Sequence, residues 1–315
     1  MRDLDVKGLL FDIQSFSVHD GPGCRTTVFM NGCPLKCEWC ANPESWKGRP
    51  QIMFAKTKCK YDKGCSLCIN ACPHNAISLS DDGVLLLNWK LCDKCTTFDC
   101  AKVCSYEALK VCGKWYTVEE LIKILNRDSH SWSKEGGVTF SGGEVFYQKD
   151  FLMAALRECK KNYIHTVIET SAFVDTDTFM KVMQYIDFAF IDIKHMDREK
   201  HKQKTGVYND LILKNIETLA KSDWSGRIVL RMPVIKEFND SDENIIKITE
   251  FMKKVGLFEI NILPFHRMGD SKWSQLGRKY PYSKEKPTSQ KKLDHIQEIF
   301  LDSQIACYTG SETPF

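Results

Sequence analysis

At 315 residues the chain is long enough to bury one full core and carry an insertion. Its 44 basic and 41 acidic residues leave a net charge of +3, so no basic field points to a nucleic-acid partner. No apolar run approaches the length of a membrane span, and the start Met1-Arg2-Asp3-Leu4-Asp5 has no apolar signal stretch. A cytoplasmic chain with no membrane partner is therefore expected.

In chain order, Thr26-Thr27-Val28-Phe29-Met30 reads as a strand that runs straight into a group of cysteines. Residues 51–113 are rich in cysteine and turns. Beyond them, strands are expected at 137–140, 166–168, 188–191, 227–230 and 259–263. Apolar residues at three- and four-residue spacing predict helices over 117–127, 150–161, 209–222 and 242–255. This alternation implies a parallel α/β sheet, open or curled into a barrel, with its chemistry at the strands' C-terminal ends. Ser141 to Glu144, Glu169 to Ser171, Asp192 to His195, Arg231 and His266 end those strands and are expected to line one mouth. The expected division is 1–50 with 114–315 as one unit and 51–113 as an insert.

Of the 15 cysteines, eleven fall in three groups between residues 33 and 104. In a chain with no secretory leader such clustering points to metal rather than disulfides. Cys33, Cys37 and Cys40 have the spacing C-x3-C-x2-C, which gives a cubane cluster three protein ligands and leaves one iron open. A structural zinc site would ask for four ligands. Cys59, Cys65, Cys68 and Cys72 form the second group, and Cys92, Cys95, Cys100 and Cys104 the third. Each has four thiolates, enough to close a four-iron cluster, although zinc knuckles share that composition. Both resemble the bacterial ferredoxin run, in which the fourth cysteine of one run serves the other cluster. By that analogy Cys59, Cys65, Cys68 and Cys104 share one cluster, and Cys92, Cys95, Cys100 and Cys72 the other.

The segment Asn31 to Cys40 resembles the signature of the radical S-adenosylmethionine (SAM) superfamily. Asp20-Gly21-Pro22-Gly23-Cys24-Arg25 before it and Trp39-Cys40-Ala41-Asn42-Pro43-Glu44 after it resemble the activating enzymes of glycyl radical enzymes. The resemblance implies an incomplete (β/α)6 barrel with a ferredoxin-like two-cluster insert. It also implies three [4Fe-4S] clusters and SAM bound at the open iron. Ser141-Gly142-Gly143-Glu144 resembles the family's GGE motif, which contacts the SAM amino group, though the family's following proline is Val145 here. Glu169, Thr170, Asp192 and Lys194 match positions that line the methionine and ribose and, in some members, hold a monovalent cation. Arg231 and His266 match a strand-ending arginine and a ribose-contacting histidine.

Phe11 to Asp20, Phe190 to His201 and Leu263 to Arg267 resemble the branch that activates 4-hydroxyphenylacetate decarboxylase. A glycine loop of that decarboxylase is the implied partner, with a flavodoxin- or ferredoxin-type reductant and a chain that is monomeric when free. Activation of a choline lyase, glycerol dehydratase or indoleacetate decarboxylase is the neighbouring alternative. A radical SAM enzyme acting on a small molecule is another. A pure electron carrier is the alternative of a different class, and the open iron speaks against it.

Overall fold

The computed structural model describes residues 2–81 and 83–314. Met1, in the N-terminal stretch read above, and Asp82, in the cysteine-rich segment, lie outside the described residues. The strands in chain order begin with β1 (Lys7–Ser17) and β2 (Arg25–Met30), then β3 (Gln51–Phe54), β4 (Ile77–Leu79), β5 (Leu85–Leu87) and β6 (Leu109–Cys112). They continue with β7 (Lys114–Thr117), β8 (Gly137–Gly142), β9 (His165–Thr170) and β10 (Phe188–Asp192). The last three are β11 (Arg227–Val234), β12 (Glu259–Pro264) and β13 (Ala306–Thr309).

Nine of these form one sheet in the order β13-β12-β11-β10-β9-β8-β2-β1-β7. From β2 to β13 every pairing is parallel, while β1 runs antiparallel to both β2 and β7. Among the described residues the end strands β13 and β7 each have one neighbour, so the sheet is open. The five strands expected beyond residue 114 are all present, each running one to four residues further at its C-terminal end. The four expected helices appear as Val118–Asp128, Lys149–Lys161, Asp210–Ala220 and Asp242–Val255. Helices Thr176–Met183 and Gln290–Asp302, and strands β1, β7 and β13, add to that reading.

Alternation along the strands divides the residues between two faces. Ile168, Ala189, Ile191, Leu230 and Met232 join the large core packed with the helices. Val167, Phe188, Phe190 and Val229 form a small cluster of their own on the other face. Toward the strands' C-terminal ends that second face turns polar, with Glu169 and Arg231 following Val167 and Val229 at two-residue spacing.

The loops after the strands are held from behind by buried asparagines. Asn215 donates to the carbonyls of Ala172 (2.8 Å) and Val174 (2.7 Å). Asn209 donates to those of His195 (2.8 Å) and Met196 (3.0 Å), and Asn239 to those of Lys194 (2.9 Å) and Pro233 (2.7 Å). A buried carbonyl with no donor is costly, so each amide fixes one turn of the mouth.

Residues 51–113 pack around a core of their own, built from Ile52, Phe54, Ile77, Leu85, Phe98, Leu109 and several cysteines. β3 pairs antiparallel with β6, Gln51 opposite Cys112, so the segment leaves and rejoins the rest of the chain at one place. No helix among the described residues is long and apolar enough to cross a membrane.

Asn215→Ala takes the side-chain donor from the Val174 carbonyl and leaves the Ala172 carbonyl with the Val174 amide alone. We expect a loss of about 2 kcal/mol or more in unfolding free energy, read by anaerobic urea denaturation.

Candidate active site

The C-terminal ends of β8 to β12 and the loop after β2 enclose a cavity of about 300 Å³. Cys33, Cys37 and Cys40 form one wall of it. Gly142, Gly143 and Glu144 come from the end of β8, Glu169 and Thr170 from β9. Asp192, Lys194, Arg231 and His266 complete the set. The residues expected at the mouth outside the two four-cysteine groups meet at this one cavity, except two: Ile193 joins the large core, and His195 is buried against Phe238 with Nδ1 accepting from the Asp197 amide at 2.8 Å. His266 is exposed at its rim, with Nδ1 accepting from the Met268 amide at 3.3 Å.

The cysteine loop is set against β8 by two backbone bonds, Gly143 N to the Met30 carbonyl (2.8 Å) and Glu144 N to the Gly32 carbonyl (2.9 Å). Gly142 has φ +111°, and a Cβ there would lie 2.5 Å from the Met30 nitrogen. A Cβ on Gly143 would lie 2.3 Å from the Gly32 carbonyl oxygen. The glycine pair permits this backbone contact, in addition to any approach by a ligand.

The Glu144 carboxylate is buried and accepts from Thr170 Oγ1 (2.5 Å), the Ser171 amide (2.9 Å) and the Ser171 hydroxyl. Burial raises its pKa, and these donors oppose the rise. Glu169 accepts from Ser141 Oγ at 2.5 Å and pairs with Arg231, whose guanidinium lies 3.4 Å over the Phe190 ring. Burial likewise raises Glu169, against the pull of Arg231. Arg231 lines the cavity, and its Nε is buried behind that wall with no partner among the described residues.

Lys194 is buried and paired with Asp192. Burial works against the Lys194 ammonium, yet Asp192 and the nearby cysteines hold its pKa above the ordinary value. Burial pushes the Cys37 thiol up to about 12, with Lys194 opposing, and Cys40 up to about 11. Cys33 is raised too, chiefly by burial.

Leu35, Trp39, Ile235, Phe238, Phe265 and Trp273 pack around the three cysteines, with Cys37 buried and Cys33 and Cys40 half-buried. Trp273 Nε1 donates to the Cys40 carbonyl (2.9 Å), and Lys272 pairs with the buried Glu44 (2.6 Å). From the other side the Lys36 amide donates to the Thr205 carbonyl (2.6 Å), and Lys204 pairs with Glu38 (2.7 Å). These clamping residues lie far along the chain, and nothing in their spacing announces them. Ser171 sits inside the expected mouth, but its bond to Glu144 is a tertiary feature.

In the cysteine-rich segment, Cys59, Cys65, Cys68 and Cys104 line one small cavity. The Cys92 and Cys100 thiols are raised to about 11 and about 12, mainly by burial and then by Cys72 and their own neighbours. Cys72 thus lies with Cys92, Cys95 and Cys100, apart from the first quartet. Among the described residues no three His, Cys, Asp or Glu side chains converge on a single-ion site. A cubane needs no such convergence, because each thiolate takes a different iron.

The radical SAM superfamily profile matches residues 95–248. The chain is 57% identical over 309 residues to the 4-hydroxyphenylacetate decarboxylase activating enzyme of Clostridium scatologenes, across 98% of this chain and 99% of that one. The chain belongs to the radical SAM activating-enzyme family. It shares 41% identity over 313 residues with the indoleacetate decarboxylase activating enzyme of Tractidigestivibacter scatoligenes, covering 97% and 98% of the two chains. In fold it is similar to a radical SAM methyltransferase from Sphaerobacter thermophilus, with TM-score 0.51 and 12% identity over 90% of this chain and 66% of that one.

The residues of this activating enzyme fit a cluster with SAM upon it. Three thiols share one wall of a roomy cavity, packed against apolar side chains, and an unpartnered guanidinium nitrogen stands among paired charges.

Gly143→Ala drives a methyl group into the Gly32 carbonyl and displaces the cysteine loop. SAM affinity is expected to fall roughly tenfold or more, a cost of about 1–3 kcal/mol for forced repacking, measured by equilibrium binding to the cluster-loaded protein. Because the three thiols must ionise to bind iron and burial keeps them protonated, cluster assembly releases protons and is favoured by rising pH. Iron retention against a chelator at pH 7 and pH 9 reads this, with the higher pH retaining more.

Proposed function

We propose that this activating enzyme installs a glycyl radical on a 4-hydroxyphenylacetate decarboxylase. The observation that carries the reading is the single cavity in which the three-cysteine loop faces the ends of β8 to β12. The relative with 57% identity, named for that decarboxylase, supports the partner. On this reading the sheet is an incomplete (β/α)6 barrel formed by 1–50 and 114–315, and 51–113 is a ferredoxin-like insert. Cys33, Cys37 and Cys40 would hold the SAM-binding [4Fe-4S] cluster, and the two quartets would each hold an auxiliary one. The enzyme would work in the cytoplasm as a monomer that meets its decarboxylase.

The cluster that Cys33, Cys37 and Cys40 would hold would supply one electron for cleaving SAM to methionine and a 5′-deoxyadenosyl radical, which would become 5′-deoxyadenosine by taking a hydrogen atom from the partner's glycine. The protein's residues bind, orient and exclude water. Gly142, Gly143 and Glu144, which line the cavity, would bind the methionine amino group. Arg231, held by Glu169, would present its guanidinium to an anionic group in the cavity. Lys194 places a buried positive charge beside Cys37, where it offsets the negative charge of thiolates in a site with little water. His266 at the rim would meet the ribose. Glu169, Thr170 and Asp192 would line the methionine and ribose, and their side-chain oxygens would ligate a monovalent cation.

The test is anaerobic electron paramagnetic resonance of the reconstituted protein mixed with SAM, a reductant and 4-hydroxyphenylacetate decarboxylase. A glycyl doublet on the decarboxylase, absent with Cys37→Ala, is the expected result. Cleavage of SAM without a doublet would overturn the partner, and a doublet on indoleacetate decarboxylase instead would reassign it. Iron content is expected at roughly twelve per chain, falling by about four in a Cys33→Ala/Cys37→Ala/Cys40→Ala variant.

A further inference from the structure

We infer that the cysteine-rich segment carries the docking surface for an acidic one-electron donor protein, centred on Lys56, Lys60 and Lys63 beside the Cys59 quartet. The inference rests on the reading that both quartets hold clusters, and adds where electrons enter and in what order they move.

The two quartets differ in what surrounds them. Around the Cys92 quartet the segment touches the rest of the chain. Asp93 pairs with Lys47 and lies 3.5 Å from Arg49, and the Trp89 indole packs directly on Gly277. A cavity of about 140 Å³ there is lined by Cys92 and Trp89 from the segment and by Lys47, Leu276 and Arg278 from outside it. Arg278 in turn lies 4.7 Å over the Trp46 ring, which belongs to the apolar surroundings of the catalytic cysteines. The cavity of the Cys59 quartet, by contrast, is lined wholly by residues between 54 and 109. The Cys92 quartet is thus the inner one and the Cys59 quartet the outer one.

The outer quartet has a distinctive face. Residues 56–63 hold four lysines and one acid, wrapped in two short turns, Lys56–Lys58 and Tyr61–Lys63, that flank Cys59. Lys58 is 3.7 Å from Glu107, whereas Lys56, Lys60 and Lys63 have no acidic partner among the described residues. Two large apolar side chains stand in the open next to them, Leu67 at 55% exposure and Tyr106 at 51%, and both line the quartet's cavity. An apolar centre rimmed by an excess of unpaired positive charge, three lysines against the exposed Asp62, suits a transient partner. The charges steer the encounter, and the small apolar contact lets the partner leave again. An acidic redox protein supplies the complementary charge and one electron per visit. The donor is oxidised by one electron and the outer cluster reduced by one; no bond forms or breaks and no proton is needed. The electron then passes through the inner quartet to the cluster at Cys33, Cys37 and Cys40.

The test uses the fully loaded protein and a purified acidic flavodoxin as probe. Binding is measured at low and high salt, and cluster bleaching is followed after mixing with reduced flavodoxin or with dithionite. The Lys56→Glu/Lys60→Glu/Lys63→Glu variant, at unchanged iron content, is expected to weaken binding roughly tenfold or more and to lose most of its salt dependence. Its bleaching by flavodoxin slows in step, while bleaching by dithionite, which needs no docking, is unchanged. Equal binding by the triple variant would overturn the inference. So would a loss of binding confined to a Lys279→Glu/Lys284→Glu/Lys286→Glu variant, which alters the segment beside the catalytic cysteines. A wild-type chain that binds only about four irons would overturn the two-cluster reading instead, and the binding data would still locate the docking face.

Discussion

The site depends on two stretches of backbone in direct contact. The end of β8 lies against Met30 and Gly32 so closely that neither Gly142 nor Gly143 has room for a side chain. That contact fixes the cysteine loop relative to five parallel strands, because the β2–β8 pairing runs in unbroken register from Arg25 opposite Gly137 to Met30 opposite Gly142. A cluster carried on a loop must keep its open iron within reach of a substrate held by strand ends. A side chain at either glycine would shift one against the other.

Around that contact the protein buries charge, which is expensive unless each group is paired or hydrogen-bonded. Glu169 with Arg231, Asp192 with Lys194 and Glu144 with the Thr170–Ser171 turn meet the requirement. The far end of β2 follows the same rule. Arg25 is wholly buried and donates to Thr139 and to the carbonyls of Pro22, Glu135, Val138 and His165. Burial lowers its pKa to about 10, which still leaves it charged at neutral pH. One guanidinium thereby ties β2, β8, β9 and the Asp20 to Pro22 turn at the end of the sheet away from the cavity.

Much of this was legible in the sequence, for physical reasons. Runs such as Phe188 to Ile191 and Arg227 to Leu230 are apolar and bounded by polar residues, because a parallel strand is buried on both faces until it reaches the mouth. The cysteine spacings are local constraints and can be read directly. β1 was not read as a strand: Gly8 to Leu10 are buried and only Phe11 to Ser17 alternate between half-buried and exposed positions, and Phe16, with a positive φ, stands exposed near its end. The helix Gln290–Asp302 carries Leu293, Ile296 and Phe300 at helical spacing, and its pattern was open to the same reading. The clamps on the cysteine loop, from Thr205 and Trp273, and the asparagine supports behind the mouth are tertiary. The clamps join residues up to 233 positions apart, and the asparagines, even where a partner is as near as Pro233 is to Asn239, carry no pattern that names the carbonyl they meet.

The pairing of β3 with β6 has an evolutionary consequence. A segment that departs and returns through two hydrogen-bonded strands presents its host with neighbouring ends, so the host does not register how much chain lies between them. Loop-closure entropy grows only slowly with length, and a long excursion on such a stem costs little more than a short one. A lineage could therefore acquire, exchange or discard everything between Phe54 and Leu109 in one genetic event, with the strand end beneath Gly142 left where it was.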